Sequence, residues 1–245
     1  MRFQVIACEV LARPLYLAAV YSPHMVDIKL VEKGLHHDPE QLRPALQAAI
    51  DAVEESRYDA VLLGYALCSN STAGLRARGL PLVLPRAHDC ITLYLGSRKA
   101  YSEEFDGHPG TYYYTGDYTE RSNGDDVALG AVTEAQVQRE YAANVEKYGK
   151  ENADYLLEVM GGWRKHYKRA AFIALGVGNE EAAISAARDE AAKNDWEFAQ
   201  LAGDIRLLRK LAHGEWDEEF LQVPPGQAIR VTYDENIVHA CPVER

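Results

Sequence analysis

The stretch that decides the fold is residues 60–64, which read Ala-Val-Leu-Leu-Gly and carry no charge. A short apolar run ending in glycine is typical of a central strand in a parallel sheet, because such a strand is buried on both faces. Mainly apolar runs also occupy residues 3–8 and residues 81–85. The sequence therefore predicts a parallel sheet in which these three segments are neighbouring or central strands.

Helical patterns lie between these strand patterns. The clearest begins at Asp38-Pro39-Glu40, with Asp38 as the N-cap and Pro39 at the first helical position. Residues 11–20 and 71–78 are also predicted to be helical, and residues 27–31 to form a second strand. Strand-helix alternation of this kind predicts βαβ units with right-handed crossovers.

The second half of the chain repeats the same alternation. Residues 116–131 are acidic and contain glycine, serine and asparagine, which is typical of a loop or linker. We therefore predict an α/β protein with a mainly parallel sheet and Rossmann-like βαβ units in both halves. The predicted division is an N-terminal half over 1–115, a linker over 116–131, and a second half over 132–245 packed against the first.

Composition excludes several classes of protein. The 245 residues carry a net charge of -11, which argues against nucleic acid and against anionic membrane surfaces as partners. No run approaches about 20 apolar residues, so no membrane span is predicted. The N-terminal segment does not resemble a signal peptide, which predicts a cytoplasmic protein with reduced cysteines.

Three cysteines follow three predicted strands: Cys8, Cys68 and Cys90. A parallel α/β sheet gathers its functional groups outside the carboxyl ends of its strands, so these thiols are expected to converge. His88 and His36 lie near two of them in the sequence. Thiolate and imidazole ligands together suit zinc or an iron–sulfur cluster. The pattern therefore predicts a metal site, although no compact zinc motif is present.

The densest group of reactive side chains is Arg86, His88, Asp89 and Cys90. Positive charge near a thiol lowers its pKa, so Cys90 is also a candidate nucleophile, with His88 as base and Arg86 holding an anionic substrate. A structural alternative stays open. In it Asp89 caps a helix, His88 binds a backbone carbonyl and Cys90 is a small core residue.

Two glycine-containing turns are candidates for binding an anion. Gly64 is followed by small polar residues that include Asn70, as in turns that cradle phosphate, although a plain βα turn fits equally well. Residues 175–181, Leu-Gly-Val-Gly-Asn-Glu-Glu, stand where a dinucleotide fingerprint would, but Glu181 replaces its third glycine. Glutamates at a helix start would repel a pyrophosphate, so a plain helix start is favoured there.

Several of these segments together resemble the domain of unknown function 1638 family. They are Gly34-Leu35-His36, residues 64–68, residues 85–97 and residues 109–113, and the Arg-Ala-His-Asp-Cys run is the most specific. Ala66 stands where a second glycine is usual, and His37 is inserted beside His36. The resemblance implies no established reaction. Its members come mostly from anaerobic bacteria and archaea, and some are associated with corrinoid methyl-transfer systems, which implies oxygen-sensitive metal chemistry.

The functional prediction is a cytoplasmic metal-binding protein that holds an iron–sulfur cluster or zinc. Its ligands would be Cys8, Cys68 and Cys90, with His88 or His36 as a fourth. It would act on a small anionic substrate, and a corrinoid or methyltransferase protein is the partner that the resemblance implies. Two alternatives remain: a cofactor-independent enzyme with Cys90 as nucleophile, and a non-catalytic accessory protein of a methyltransferase system.

Overall fold

The structure is a computed structural model that describes residues 1–33, 39–121, 134–161 and 166–243. The predicted N-cap Asp38, the candidate ligand His36 and most of the predicted acidic linker lie outside these described residues. Within them, no helix is both long enough and apolar enough to cross a membrane.

The described residues contain ten strands and nine α-helices. The strands are β1 (Arg2–Cys8), β2 (Met25–Val31), β3 (Ala60–Gly64), β4 (Leu82–Pro85), β5 (Thr111–Tyr114), β6 (Arg169–Ala174), β7 (Glu197–Ala202), β8 (Phe220–Val223), β9 (Gln227–Val231) and β10 (Val238–Pro242). The helices are α1 (Ala12–Val20), α2 (Pro39–Asp51), α3 (Cys90–Leu95), α4 (Arg98–Gly107), α5 (Gly116–Glu120), α6 (Glu134–Tyr148), α7 (Lys150–Gly161), α8 (Glu181–Asn194) and α9 (Arg206–His213).

The chain forms two compact units, one of residues 1–101 with 203–245 and one of residues 102–202. The first unit contains a five-stranded sheet in the order β2-β1-β3-β4-β8. Strands β2, β1, β3 and β4 are parallel, and β8 is antiparallel to β4. The predicted α/β class and mainly parallel sheet are therefore confirmed.

Burial explains why residues 60–64 lie at the centre of this sheet. Every residue of β3 is buried, and so are the Leu-Val-Leu core of β4 and most of β1. Burying one Leu or Val side chain stabilises the fold by about 1.5–3 kcal/mol. A strand that is paired on both edges and covered on both faces obtains this stabilisation at each apolar position. The predicted apolar runs are thus the three adjacent strands β1, β3 and β4.

The helix predicted over residues 71–78 is wrong. This segment forms turns and then pairs with β9, where Ile229 N donates to Leu75 O and Ala77 N donates to Gln227 O, each at 2.9 Å. Leu75 and Ala77 are buried while Arg76 and Arg78 are exposed, which is a two-residue period. That alternation is the signature of an extended segment, so the connection from β3 to β4 is not helical.

The two units do not follow the predicted division of the chain at residues 116–131. The chain returns to the first unit after residue 202, where β8 joins the edge of its sheet. Phe220, Leu221 and Val223 are buried in that strand. A short apolar strand of this kind gains burial by covering the open edge of β4.

The second unit contains the parallel sheet β5-β6-β7, with α8 between β6 and β7. Alanines 183, 187 and 191 of α8 recur every four residues and pack with Tyr114 and Phe172 in a buried cluster. In the turn before α8, the Glu180 carboxylate accepts hydrogen bonds from Leu175 N at 2.9 Å and Gly176 N at 3.2 Å. The chain's own carboxylate thus uses the amides that would meet a phosphate.

Candidate thiol site

Backbone pairing brings the three cysteine-bearing segments together at the carboxyl ends of β1, β3 and β4 in the first sheet. Cys8 is the last residue of β1, whose register places Ala7 opposite Gly64 of β3. Beyond the two ladders, Leu67 N donates to Ala87 O and Cys68 N donates to His88 O, both at 2.9 Å. The loops after β3 and β4 therefore run side by side, and Cys90 follows as the first residue of α3.

The three thiols are close enough to oppose one another's ionisation. Burial raises the pKa of Cys8 to about 11. Burial of the thiol, and then the charge of Cys8, raise the pKa of Cys68 to about 12. Burial is also the main cause that raises the pKa of Cys90 well above its ordinary value, followed by Cys68, Asp89 and Cys8. All three thiols are therefore protonated at neutral pH.

The thiols do not form a ready-made metal site in the part of the chain that the structure describes. There, no three histidine, cysteine, aspartate or glutamate side chains are arranged to hold a metal ion. His36 belongs to a segment outside those residues. Cys241, the fourth cysteine, lies on β10, and its sulfur donates to Ala228 O at 3.6 Å.

Two buried hydroxyls, three residues before and three residues after Cys68, lack hydrogen-bond partners among the described residues. Tyr65 is 2% exposed and Ser71 is fully buried, and neither Tyr65 Oη nor Ser71 Oγ makes a hydrogen bond. The Tyr65 hydroxyl lies beside the Cys8 thiol and lowers its pKa, yet no hydrogen bond of normal geometry joins the two groups. Burying a hydroxyl without a partner costs about 1–3 kcal/mol, so such a group needs an explanation.

The loop that carries Cys68 has an unusual backbone. Cys68, Ser69 and Asn70 all have positive φ angles, of 45°, 53° and 67°. Left-handed conformations are uncommon for residues other than glycine, and those held in them cluster at functional sites. Asn70, a candidate binding residue, is exposed, and its carbonyl accepts a hydrogen bond from Arg43 Nη2 at 3.1 Å.

Gly64, the other candidate anion-binding residue, has a packing role. A Cβ added to it would lie 2.5 Å from Ala7 Cβ and 3.0 Å from Leu15 Cδ1. Glycine is therefore required for β1 and β3 to approach each other at the level of the site. Glu9, the residue after Cys8, accepts a hydrogen bond from Lys33 N at 2.9 Å and ties together the ends of β1 and β2.

Arg86 is used by the fold and does not face the site as a free anion anchor. Its Nε donates to Phe220 O at 3.3 Å and its Nη1 donates to Asn236 O at 2.9 Å and to Val238 O. The guanidinium thus holds the C-terminal strands against the end of β4. Backbone carbonyls therefore accept hydrogen bonds from Nε and Nη1, two of the three nitrogens of the guanidinium.

Asp89 and His88 also have roles different from those predicted for catalysis. Asp89 is the N-cap of α3, accepting from Thr92 N at 3.2 Å, and it accepts from Tyr101 Oη at 3.1 Å. Burial raises the pKa of Asp89, although these hydrogen bonds oppose the shift. His88 is exposed, and its carbonyl receives the Cys68 amide. The structural alternative for Asp89 is therefore the one observed.

A comparison with protein families gives one match, the family described as Protein of unknown function (DUF1638), over residues 30–212. The chain belongs to this family. The match confirms the family resemblance that the sequence showed most specifically at Arg86–Cys90. Comparisons with curated proteins and with solved structures give no match. The family match includes Tyr65, Cys68 and Cys90, and it begins after Cys8.

Tyr65 lies in the segment 64–71 that the sequence marked as a candidate site, but no role was predicted for its side chain. Tyrosine is not a common metal ligand in proteins, so a search for ligands passes over it. The available signal was position: a tyrosine directly after the strand-ending Gly64 lies where β1 and β3 meet. Its burial without a partner is visible only in three dimensions.

Proposed function

We propose that this protein binds a metal centre, an iron–sulfur cluster or zinc, through Cys8, Cys68 and Cys90. The observation that carries the proposal is the position of three cysteines at or just beyond the carboxyl ends of three adjacent parallel strands, near enough for their charges to interact. Ligands in α/β proteins bind in this position, outside the carboxyl ends of the strands. Residues so far apart in sequence have no local reason to supply the same side chain.

The electrostatics of the cluster support a cationic occupant. Cys8 opposes the ionisation of Cys68, and both oppose the ionisation of Cys90, so three thiolates are unstable together unless a positive charge compensates them. A bound metal ion deprotonates its thiols outright and supplies that charge. Three soft sulfur ligands suit zinc or an iron–sulfur cluster better than a hard, oxygen-preferring cation such as magnesium.

A centre held by three cysteines leaves one position open in a four-coordinate site. The Tyr65 hydroxyl, which lies beside the Cys8 thiol, would then donate a hydrogen bond to the small ligand in that position. A small anionic substrate remains the class that fits, now through this hydroxyl instead of Arg86. The association with a corrinoid or methyltransferase protein stays a prediction from the family resemblance.

The alternative with Cys90 as nucleophile has less support. A nucleophilic cysteine needs a lowered pKa, whereas burial and two neighbouring thiols raise the pKa of Cys90. The neighbouring carboxylate of Asp89 acts in the same direction. The exposed His88 and the occupied Arg86 leave the thiol without an evident activating group among the described residues.

Metal analysis of protein purified without oxygen tests the proposal. We expect stoichiometric zinc, or iron with acid-labile sulfide, after reconstitution. Serine variants at Cys68 and Cys90 are each expected to weaken metal binding at least 100-fold, because a thiolate ligand is lost. Cys241→Ser is the matched control and should bind as tightly as the wild type. Absence of metal after reconstitution with both zinc and iron–sulfide, or equal loss in the control, would overturn the proposal.

Tyr65→Phe tests the role of the unpartnered hydroxyl. In metal-free protein this variant is expected to raise the free energy of unfolding by about 1 kcal/mol, because it removes a buried group that makes no hydrogen bond. Tyr94→Phe is the matched control. The Tyr94 hydroxyl is buried and donates to Val10 O, so its loss should cost about 1 kcal/mol. Urea denaturation measures both, and equal losses would show that Tyr65 is satisfied in solution.

A further inference from the structure

Strand β2 leaves one side of its backbone open at the edge of the five-stranded sheet. It is the first strand in the sheet order, and no described strand pairs with its outer side. Its sequence, Met-Val-Asp-Ile-Lys-Leu-Val over residues 25–31, contains neither proline nor glycine. Long edge strands without such interruptions are templates for pairing with another chain.

The direction of the free backbone groups follows from two observed hydrogen bonds. Met25 N donates to Met1 O at 3.1 Å, and the Gln4 side chain donates to Asp27 O at 3.0 Å. Both bonds point toward β1. Since backbone groups alternate sides along a strand, the odd-numbered residues of β2 face β1. Val26, Ile28 and Leu30 therefore point their N–H and C=O groups outward.

We propose that two copies of this chain join through antiparallel pairing of β2 with itself, with Ile28 on the two-fold axis. In this register apolar residues oppose apolar residues and opposite charges meet. The pairs are Ile28 with Ile28, Val26 with Leu30, Met25 with Val31, and Asp27 with Lys29. The two sheets become one continuous sheet of ten strands, held by six backbone hydrogen bonds across the axis, two from each pair of outward-facing residues.

Charge selects this register over its neighbours. Outward-facing residues must oppose outward-facing residues, so the axis can move only one residue at a time along β2. Moving it to Lys29 places that ammonium against its own copy. Moving it to Asp27 places two carboxylates opposite each other, each paired with Arg2 of its own chain at 2.8 Å, so the repulsion is weaker there. These residues occupy the non-hydrogen-bonded positions, where side chains come closest. Like charges directly opposite destabilise a sheet, whereas the proposed register makes two opposite-charge pairs.

Exposed apolar side chains lie on α1, in the turn after it and at the start of β2. Tyr16, Val20, Tyr21 and Met25 are 48%, 76%, 72% and 62% exposed. Pairing one seven-residue strand buries less area than a stable dimer requires, which is about 1,200–2,000 Å² in total. The strand pair sets the orientation of the two copies. Contacts from these exposed side chains add apolar buried area to the dimer. A two-fold interface uses the same patch on both copies, so one exposed surface suffices.

Analytical ultracentrifugation of the full chain tests the proposal at 0.15 M salt. We expect a dimer that Lys29→Glu weakens at least 10-fold, because the new carboxylate faces Asp27 of the other copy. Lys193→Glu, the same charge change at an exposed site on α8, should leave the dimer unchanged. A wild-type monomer at 100 µM, or equal weakening by both variants, would overturn the proposal.

Cysteine cross-linking tests the register independently. Ile28→Cys places two thiols opposite each other across the axis, at a Cα separation of about 5.5 Å, which a disulfide can span. Val26→Cys is the matched control, because each new thiol would face Leu30 and lie far from its own copy. Mild oxidation should cross-link the first variant and not the second, with mass spectrometry locating the bond. Equal cross-linking, or cross-linking of Val26→Cys alone, would contradict the register.

Discussion

Replacing Gly64 with alanine is expected to lower the free energy of unfolding by about 3 kcal/mol. The added methyl would lie 2.5 Å from Ala7 Cβ and 3.3 Å from Ala7 Cα, which are rigid parts of β1. A flexible side chain could move aside, but here one strand must shift against the other, and overpacking of this kind costs about 1–3 kcal/mol or more. Because Cys8 and Tyr65 follow these two residues directly, the shift should also disturb the thiol cluster.

A second substitution distinguishes this clash from a general effect of losing glycine. In the double variant Ala7→Gly with Gly64→Ala, the methyl moves to the other member of the pair, so most of the lost stability should return. Gly107→Ala is the simple control, since nothing lies within 4 Å of its added Cβ. Chemical denaturation measures all three. A double variant no more stable than Gly64→Ala would show that the Ala7 contact is not the cause.

The sheet was predictable because its strands are buried on both faces. Residues 3–8, 60–64 and 81–85 carry apolar runs that a solvent-exposed strand would not need, and these became β1, β3 and β4. The connection over residues 71–78 was not predictable in the same way. Its two-residue alternation of buried and exposed side chains depends on β9, about 150 residues later in the chain. Local sequence propensity carries no information about a pairing partner so far along the chain.

The sequence predicted that the cysteine-bearing loops would be neighbours, and it did not predict the contacts of their side chains. That Cys68 and Cys90 would be neighbours followed from strand order, because β3 and β4 are adjacent. The hydrogen bonds of Arg86 and Asp89 could not be predicted in this way. The carbonyls that Arg86 binds come from residues 220–238, far along the chain. Tyr65 was missed because an unpaired hydroxyl is a property of packing.

The metal-free protein is expected to lose stability as the pH rises from about 9 to about 11. In the unfolded chain the Cys8 thiol titrates near its ordinary pKa of 9.0, whereas burial raises its pKa in the folded protein to about 11. Between these values the unfolded chain releases a proton that the folded protein keeps, so unfolding becomes more favourable. Two pKa units correspond to on the order of 3 kcal/mol from this group.

The sign of this effect and its source are both testable. Below pH 9 both states hold the proton, so the contribution of Cys8 is constant there, and the raised pKa of Cys68 extends the decline toward pH 12. Urea denaturation from pH 7 to 11, with reductant and chelator present, should show a shallower decline for Cys8→Ala than for the wild type. Cys241→Ala should follow the wild type, because Cys241 lies on β10 away from the cluster. If the wild type and Cys8→Ala decline in parallel, the Cys8 thiol is not held protonated by its surroundings, and the electrostatic case for a cationic occupant fails with it.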